Sequence, residues 1–323
     1  MTSLFPSAIC VVAGLASSSV FGANIIANGD WSSAGTWDAA VPNAAGAVAA
    51  NSTGDSTRTA TLDIDATVGV IRSTIRRSFT VETNGVNFLT LDNGAGAAAI
   101  TGSTNGSFNV TVAVNPNLVL SGDLLVTQNS GSGDKRVDIN GGITGTGNIA
   151  VSNNEGAGGG VRLDGGVNHV GSLTWDGTNT DTSWSNISGT IGSNVTLLTK
   201  DGTGFVTLSG ASNAWSVGTV INAGTVRVTA VSNLGGASLS IASGAVLDLL
   251  ANQLSQATLT SLTLGGTPFT TPGTYGATGS GATFINDTFF DGTGFVTLVP
   301  EPASLAMVGL GAMLMLPRRK RVD

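Results

Sequence analysis

The strongest constraint on this chain is that it repeats itself. Asp201-Gly202-Thr203-Gly204-Phe205-Val206-Thr207-Leu208 recurs residue for residue as Asp291-Gly292-Thr293-Gly294-Phe295-Val296-Thr297-Leu298. A looser copy, Gly145-Thr146-Gly147-Asn148-Ile149-Ala150-Val151-Ser152, lies upstream. Ile221-Asn222-Ala223-Gly224-Thr225-Val226-Arg227-Val228 is echoed by Ile241-Ala242-Ser243-Gly244-Ala245-Val246-Leu247-Asp248-Leu249, an offset of 20 residues. Such a period fits one rung of a β-solenoid. A single rung cannot bury its apolar face, but stacked rungs share one core.

The stretches between repeats agree. Val110-Thr111-Val112-Ala113-Val114, Leu118-Val119-Leu120, Leu124-Leu125-Val126 and Leu259-Thr260-Ser261-Leu262-Thr263-Leu264 read as short strands broken by Gly, Asn, Ser and Asp. Gly and Asn suit corners where φ is positive. With 47 Gly and only 5% aromatic residues, the expected interior is narrow and filled by small or branched aliphatics. Residues 23–299 are expected to form roughly a dozen rungs of about 20 to 25 residues. Trp31 and Trp37 are expected to cap the first rung, because an open end exposes core and unpaired backbone. The segment 167–186, with His169, Trp175 and Trp184, breaks the rhythm and is expected to be an insertion on one flank.

Composition removes several functions. Thirteen basic against 20 acidic residues, a net charge of −7, disfavours a nucleic-acid partner, which needs a basic face. One Cys and one His exclude disulfide frameworks and multi-His metal sites.

The two ends read as targeting segments. Ala8 to Ala16 is an apolar run and Ser17 to Ala23 is rich in small residues, so residues 1–22 are expected to be a signal peptide cleaved after Gly22. At the other end, Pro300-Glu301-Pro302 precedes an uncharged apolar stretch, 303–316, and then Arg318-Arg319-Lys320-Arg321. The prolines deny helix continuation upstream. The basic group is expected to stay cytoplasmic as a stop. A short transmembrane helix over 303–316 would reach about 21 Å, extended by its flanks to meet a hydrocarbon core of about 30 Å.

That tripartite tail resembles the PEP-CTERM sorting signal. The resemblance implies processing near Pro300-Glu301-Pro302 by an exosortase-type enzyme at a bacterial cell envelope. Within the body, Leu198-Thr199-Lys200-Asp201-Gly202-Thr203-Gly204-Phe205-Val206-Thr207-Leu208-Ser209-Gly210, continuing to Val228, resembles the autotransporter-associated β-strand repeat, with 198–249 as the repeat region. Phe205-Val206 replaces the usual Thr-Leu, and Trp215 stands where the repeat has Tyr. Trp31 to Asn43, Leu89 to Gly94 and Pro272-Gly273-Thr274-Tyr275 resemble other parts of planctomycete- and verrucomicrobia-type surface proteins. The likeness implies a right-handed parallel β-helix that is structural or adhesive, and it implies exopolysaccharide as a partner.

Parallel β-helices also include polysaccharide lyases and hydrolases, so catalysis has candidates. Asp164, Asp176 and Asp181 are the carboxylates, His169 is the acid or base, and Trp175 and Trp184 would stack on sugar rings. Against this, Asp164-Gly165-Gly166 and Asp176-Gly177 are turn formers. Asp63 and Asp65 would share one strand face, yet no calcium-binding nonapeptide or EF-hand loop accompanies them. Arg72, Arg76 and Arg77 read as a solvated strand edge, with an anionic-glycan site as the alternative. The reading is an exported β-solenoid with no catalytic, cofactor or metal site. A carbohydrate-active enzyme or a carbohydrate-binding protein on the same fold is the alternative.

Overall fold

The computed structural model describes residues 22–102, 109–129, 134–154, 158–181, 183–211, 213–229, 234–250 and 258–299. Residues 1–21 of the expected signal peptide, Pro300-Glu301-Pro302, the apolar stretch 303–316 and the basic Arg318 to Arg321 lie outside them. Among the described residues no helix is long and apolar enough to cross a membrane.

The chain forms a parallel β-solenoid, with two long sheets built from alternate strands. The first sheet has 12 strands, from Gly22–Asn24 at one edge to Ser261–Leu264, and ends on Thr267–Phe269. All its pairings are parallel except that last one. The second has 11 strands, from Gly29–Asp30 to Phe290–Gly292, all parallel. A third, four-stranded sheet joins Ala66–Val68, Phe88–Leu91, Asn117–Leu120 and Ile143–Gly145. Single bridges at Val167 and Ile191 carry that face onward. Thr258–Leu259, Phe295–Leu298, Gly273–Gly276 and Phe284–Ile285 form a fourth sheet after the last rungs.

Register offsets within the stack run from 20 residues at Ile221↔Ile241 to 33 at Phe79↔Val112, and the last second-sheet pairing, Leu247↔Phe290, spans 43. The 20-residue echo in the sequence is therefore one rung. The identical octapeptides behave differently. Phe205–Leu208 joins the second sheet, whereas Phe295–Leu298 pairs antiparallel with Gly273–Gly276 in the fourth. The looser copy feeds Ile149–Asn153 into the first sheet. A Gly followed by alternating apolar residues specifies a half-buried strand. Which face that strand joins depends on the residues spent at the preceding corner. Leu259 to Leu264 also splits, with Thr258–Leu259 and Ser261–Leu264 in different sheets.

Parallel stacking places like over like. In the second sheet Val114, Ile139, Leu163, Ile187, Leu208, Val228 and Leu249 form one buried inward column, each paired with the next. Each such side chain contributes about 1.5–3 kcal/mol by burial. At the corners, Asx side chains tie one rung to the next. The side-chain oxygens of Asn117, Asp123 and Asn148 accept the backbone N–H of Gly142, Asn148 and Ser172 at 2.9, 2.7 and 3.0 Å. These bonds satisfy donors that the strand ladders leave open.

The N-terminal edge is closed as expected. Trp31 and Trp37 are buried edge to face, with centroids 5.0 Å apart. Their indole N–H groups donate to the carbonyls of Pro42 and Trp31, both at 2.9 Å.

One corner depends on close approach. Gly141, Gly165, Gly189 and Gly210 follow successive second-sheet strands. A Cβ on Gly165, Gly189 or Gly210 would lie inside van der Waals contact of the carbonyl of the glycine one rung before. Asp164-Gly165-Gly166 is thus a stacking position as well as a turn. Gly165→Ala is expected to cost about 2 kcal/mol or more, far above the value for Thr190→Ala at the exposed neighbouring position. Urea unfolding of the two variants checks this, and equal midpoints would contradict the glycine column.

Candidate functional site

The richest chemistry lies on the outer face of the second sheet. Lys135–Ile139, Gly160–Leu163 and Ser185–Ile187 are consecutive parallel neighbours there. Their alternation turns Val137, Ile139, Val161, Leu163 and Ile187 inward. Arg136, Asp138, Arg162 and Asn186 are left on the outside.

Arg136 is paired with Gly160 in the neighbouring strand. Gly160 has no side chain to fill the space between Arg136 and Trp184. A Cβ there would collide with the Trp184 carbonyl. The Arg136 guanidinium lies across the gap, 3.6 Å from the indole centroid, and Arg162 sits 5.4 Å from the same ring. Cation–π contacts of this kind contribute about 0.5–2 kcal/mol. Arg162 also bonds the Asp164 carboxylate beside it and lies 4.0 Å from Asp138. Burial pushes the Asp138 carboxyl above its ordinary range and Asp164 adds repulsion, while Arg162 and Arg136 oppose the shift. Farther along, Arg227 pairs with the buried Asp248 at 2.7 Å and lies over Phe205.

The remaining candidates disperse. Trp175 is not a sugar platform. It faces the core between Val151 and Lys200 in the first sheet's inward column. His169 is fully buried. Its Nε2 donates to the Ser172 carbonyl at 3.0 Å and burial holds the ring neutral, so it presents no acid or base to a ligand. Asp164 accepts from Ser188, Asp176 from the Gly177 N–H, and Asp181 from the N–H groups of Gly158 and Ser183. The segment 167–186 is not a flanking insertion. It contains the first-sheet strand Gly171–Asp176 and runs into the second-sheet strand Ser185–Ile187. Its irregularity is the corner 177–184, longer than the corner 201–204 of the next rung.

Asp63 and Asp65 do not share a strand face. They occupy the corner between Arg58–Leu62 and Ala66–Val68 and serve opposite neighbours. Asp63 accepts from the Ser32 N–H and hydroxyl, and Asp65 accepts from the Phe88 N–H. Hydrogen bonds from Ser32 lower the Asp63 pKa despite the opposing desolvation. Arg72 is exposed on a strand paired on both sides, so it marks no sheet edge. Arg77 donates to the Asp55 carbonyl at 2.7 Å. No group of three or more His, Cys, Asp or Glu suited to a metal occurs among the described residues.

The sequence reading did not single out Lys200. It sits in the inward column between Trp175 and Ile221 and is 1% exposed. Its stem packs in the core. Its ammonium bends back to the carbonyls of Asp201, Gly202 and Ala223, the last two at 2.6 and 3.5 Å. The signal was present, because Lys200 occupies the place that Ile221 and Ile241 take in the next rungs.

No known protein family matches the chain, no curated protein matches it, and no solved structure matches it. The likeness to surface-protein repeats and to the sorting signal therefore rests on the residues quoted for it.

Burial lowers the Lys200 pKa from 10.5 to about 8, with Asp176 and Asp201 opposing the shift. Between these values the folded chain has released a proton that the unfolded chain still holds, so stability rises with pH across that window. Relative to Lys200→Met, the wild type should gain about 2 kcal/mol between pH 7 and pH 10. Urea unfolding of both proteins at the two pH values measures this. Parallel pH profiles would mean that Lys200 is not desolvated.

Proposed function

We propose that this chain is an exported structural or adhesive rod, held at the cell envelope or in an extracellular matrix and associated with polysaccharide. The single observation that carries the reading is the unbroken parallel stack. Eleven second-sheet strands in one order, spaced about 4.8 Å apart, make a stiff body about 50 Å long. Its interior is continuous, its corners are hydrogen-bonded from rung to rung, and its N-terminal edge is sealed by tryptophan. A body of this kind spaces and presents surfaces. The right-handed sense of coiling is part of the proposal, since β-strand crossovers strongly favour that hand.

Export and sorting belong to the same reading. They are supported by the apolar stretch before Gly22, by Pro300-Glu301-Pro302, by the apolar run 303–316 and by Arg318-Arg319-Lys320-Arg321. An exosortase-type enzyme would act near the Pro-Glu-Pro element, with the membrane as a transient partner. The chain is read as having no enzymatic activity of its own. Asp164, Asp176 and Asp181 each accept from a turn or corner hydroxyl or N–H, which supports a structural role for them.

Intact-mass measurement on separated fractions of the native host tests the proposal. The expected product lacks residues 1–22 and everything after about Pro302, and is found in the envelope or matrix. A full-length 32.0 kDa product in the cytoplasm would overturn export. A product retaining 303–323 in the inner membrane would make the tail a permanent anchor and overturn the sorting step.

A further inference from the structure

The C-terminal end of the stack carries a cavity that neither the repeats nor the charged face explains. After the last first-sheet strand the chain turns back through Thr267–Phe269, then builds Gly273–Gly276 and Phe284–Ile285 as parallel neighbours, with Tyr275 opposite Phe284. The result is an aromatic cluster. Tyr275 and Phe284 are stacked with centroids 4.8 Å apart and planes 26° apart, and Phe269 meets Tyr275 edge-on at 5.7 Å. These rings line a cavity of about 370 Å³, together with Thr271, Thr283 and Asn286. That volume lies at the low end of small-molecule sites.

The polar groups of the lining retain bonding capacity. The Tyr275 hydroxyl is spent on the Thr271 carbonyl at 2.8 Å. Thr283 accepts from the Thr274 hydroxyl at 3.1 Å and keeps its own proton. Asn286 accepts the Thr288 N–H through Oδ1, which leaves its two amide donors available. The Thr271 hydroxyl has no partner among the described residues. None of the lining residues is charged. The cavity therefore combines an aromatic wall with several hydroxyl and amide groups and no ionic selector.

From this combination we infer that the cavity binds one or two rings of a neutral glycan. A pyranose presents C–H groups on one face and hydroxyls around its edge. The aromatic wall meets the first, and Thr271, Thr283 and Asn286 meet the second. A uronate would find no cation here, and a purely apolar ligand would strand the Asn286 donors, which is unfavourable. The inference deepens the polysaccharide association proposed above, and its biological meaning rests on that reading. It names the site and restricts the ligand to an uncharged sugar.

Isothermal titration of the purified full chain tests it. The probes are tetramers of β-linked glucose, mannose, galactose and N-acetylglucosamine, with an oligogalacturonate as the anionic control. At least one neutral tetramer should bind saturably with Kd near 1 mM or below, and the anionic oligomer should not. Asn286→Asp keeps the Oδ1 acceptor but adds charge and removes the amide donors. It should weaken binding about tenfold, as should Phe284→Leu. Thr271→Val should weaken it by a smaller factor. Circular dichroism and a Tm within about 2 °C of the parent establish that each variant is folded.

Silence of all four neutral probes toward the folded parent would overturn the inference, as would binding unchanged by Asn286→Asp and Phe284→Leu. Tighter binding of the oligogalacturonate, or self-association of the chain abolished by Phe284→Leu, would equally overturn it. The two proposals fail separately. A cytoplasmic location leaves the titration intact, and a silent titration leaves the exported rod intact.

Discussion

Nearly every strand of the stack is hydrogen-bonded to a strand about 20 to 33 residues away, and nearly every other feature follows from that ladder. At a spacing of about 4.8 Å, a side chain's neighbours above and below are its counterparts in adjacent rungs. A residue is therefore judged by its column. Inward columns are mostly apolar and similar in volume, as from Val114 to Leu249, with buried polar pairs such as Gln128 over Asn153 as exceptions. A corner column must be glycine where carbonyls pass under it, as at Gly141, Gly165, Gly189 and Gly210. An outward corner column is best filled by Asn or Asp, because a short side chain there can reach the N–H of the next rung.

The same ladder explains where polar chemistry becomes strained. A charged residue in an inward column cannot escape sideways. Lys200 keeps its stem in the column and turns its ammonium toward three carbonyls at the rung's corner. A missing side chain in an outward column acts in the opposite sense. Gly160 leaves an empty place between Arg136 and Trp184, and the guanidinium moves over it onto the indole. Asp138, next to this arrangement, is desolvated by the crowding, and its carboxyl pKa rises. The Lys200 ammonium is satisfied by backbone carbonyls, whereas Arg136 Nε and Asp138 Oδ1 are buried without a hydrogen-bond partner. Column occupancy alone generates perturbed groups in such a fold, which lowers the value of a shifted pKa as a functional marker here.

Legibility in the sequence follows the same division. The solenoid was readable because its period is written directly, and Ile221 and Ile241 are aligned neighbours as their spacing implied. The tryptophan edge was readable because an end must be closed. Sheet assignment was not, because identical octapeptides reach different sheets once their preceding corners differ in length. Asp63 and Asp65 were misplaced for a related reason. Alternation suggested a strand, but the chain turns there and each carboxylate serves a different rung. Trp175 and Trp184 look alike in sequence, yet one lies in an inward column and the other on a corner. Only the register separates them. The cavity of Phe269, Tyr275 and Phe284 was invisible because it depends on a backward-running strand at the end of the stack.

Those terminal rungs are where the repeating rule stops holding. Within the stack every strand has a neighbour on each side, and side chains are fixed by their columns. At the C-terminal end the chain must reverse, with Thr267–Phe269 running antiparallel to Ser261–Leu264 and Gly273–Gly276 antiparallel to Phe295–Leu298. Reversal breaks the column rule, so aromatic residues scarce elsewhere gather there and enclose space instead of filling it. The outer face of the second sheet is regular and its charges sit in Arg–Asp and Arg–Trp contacts, although Arg136 Nε, Asp138 Oδ1 and Asp248 Oδ1 are buried without a hydrogen-bond partner. The terminal cover is irregular and keeps unspent donors. Function grafted onto a repetitive fold is best sought at such a break, because only there does the ladder leave side-chain positions free to be set by something other than the next rung.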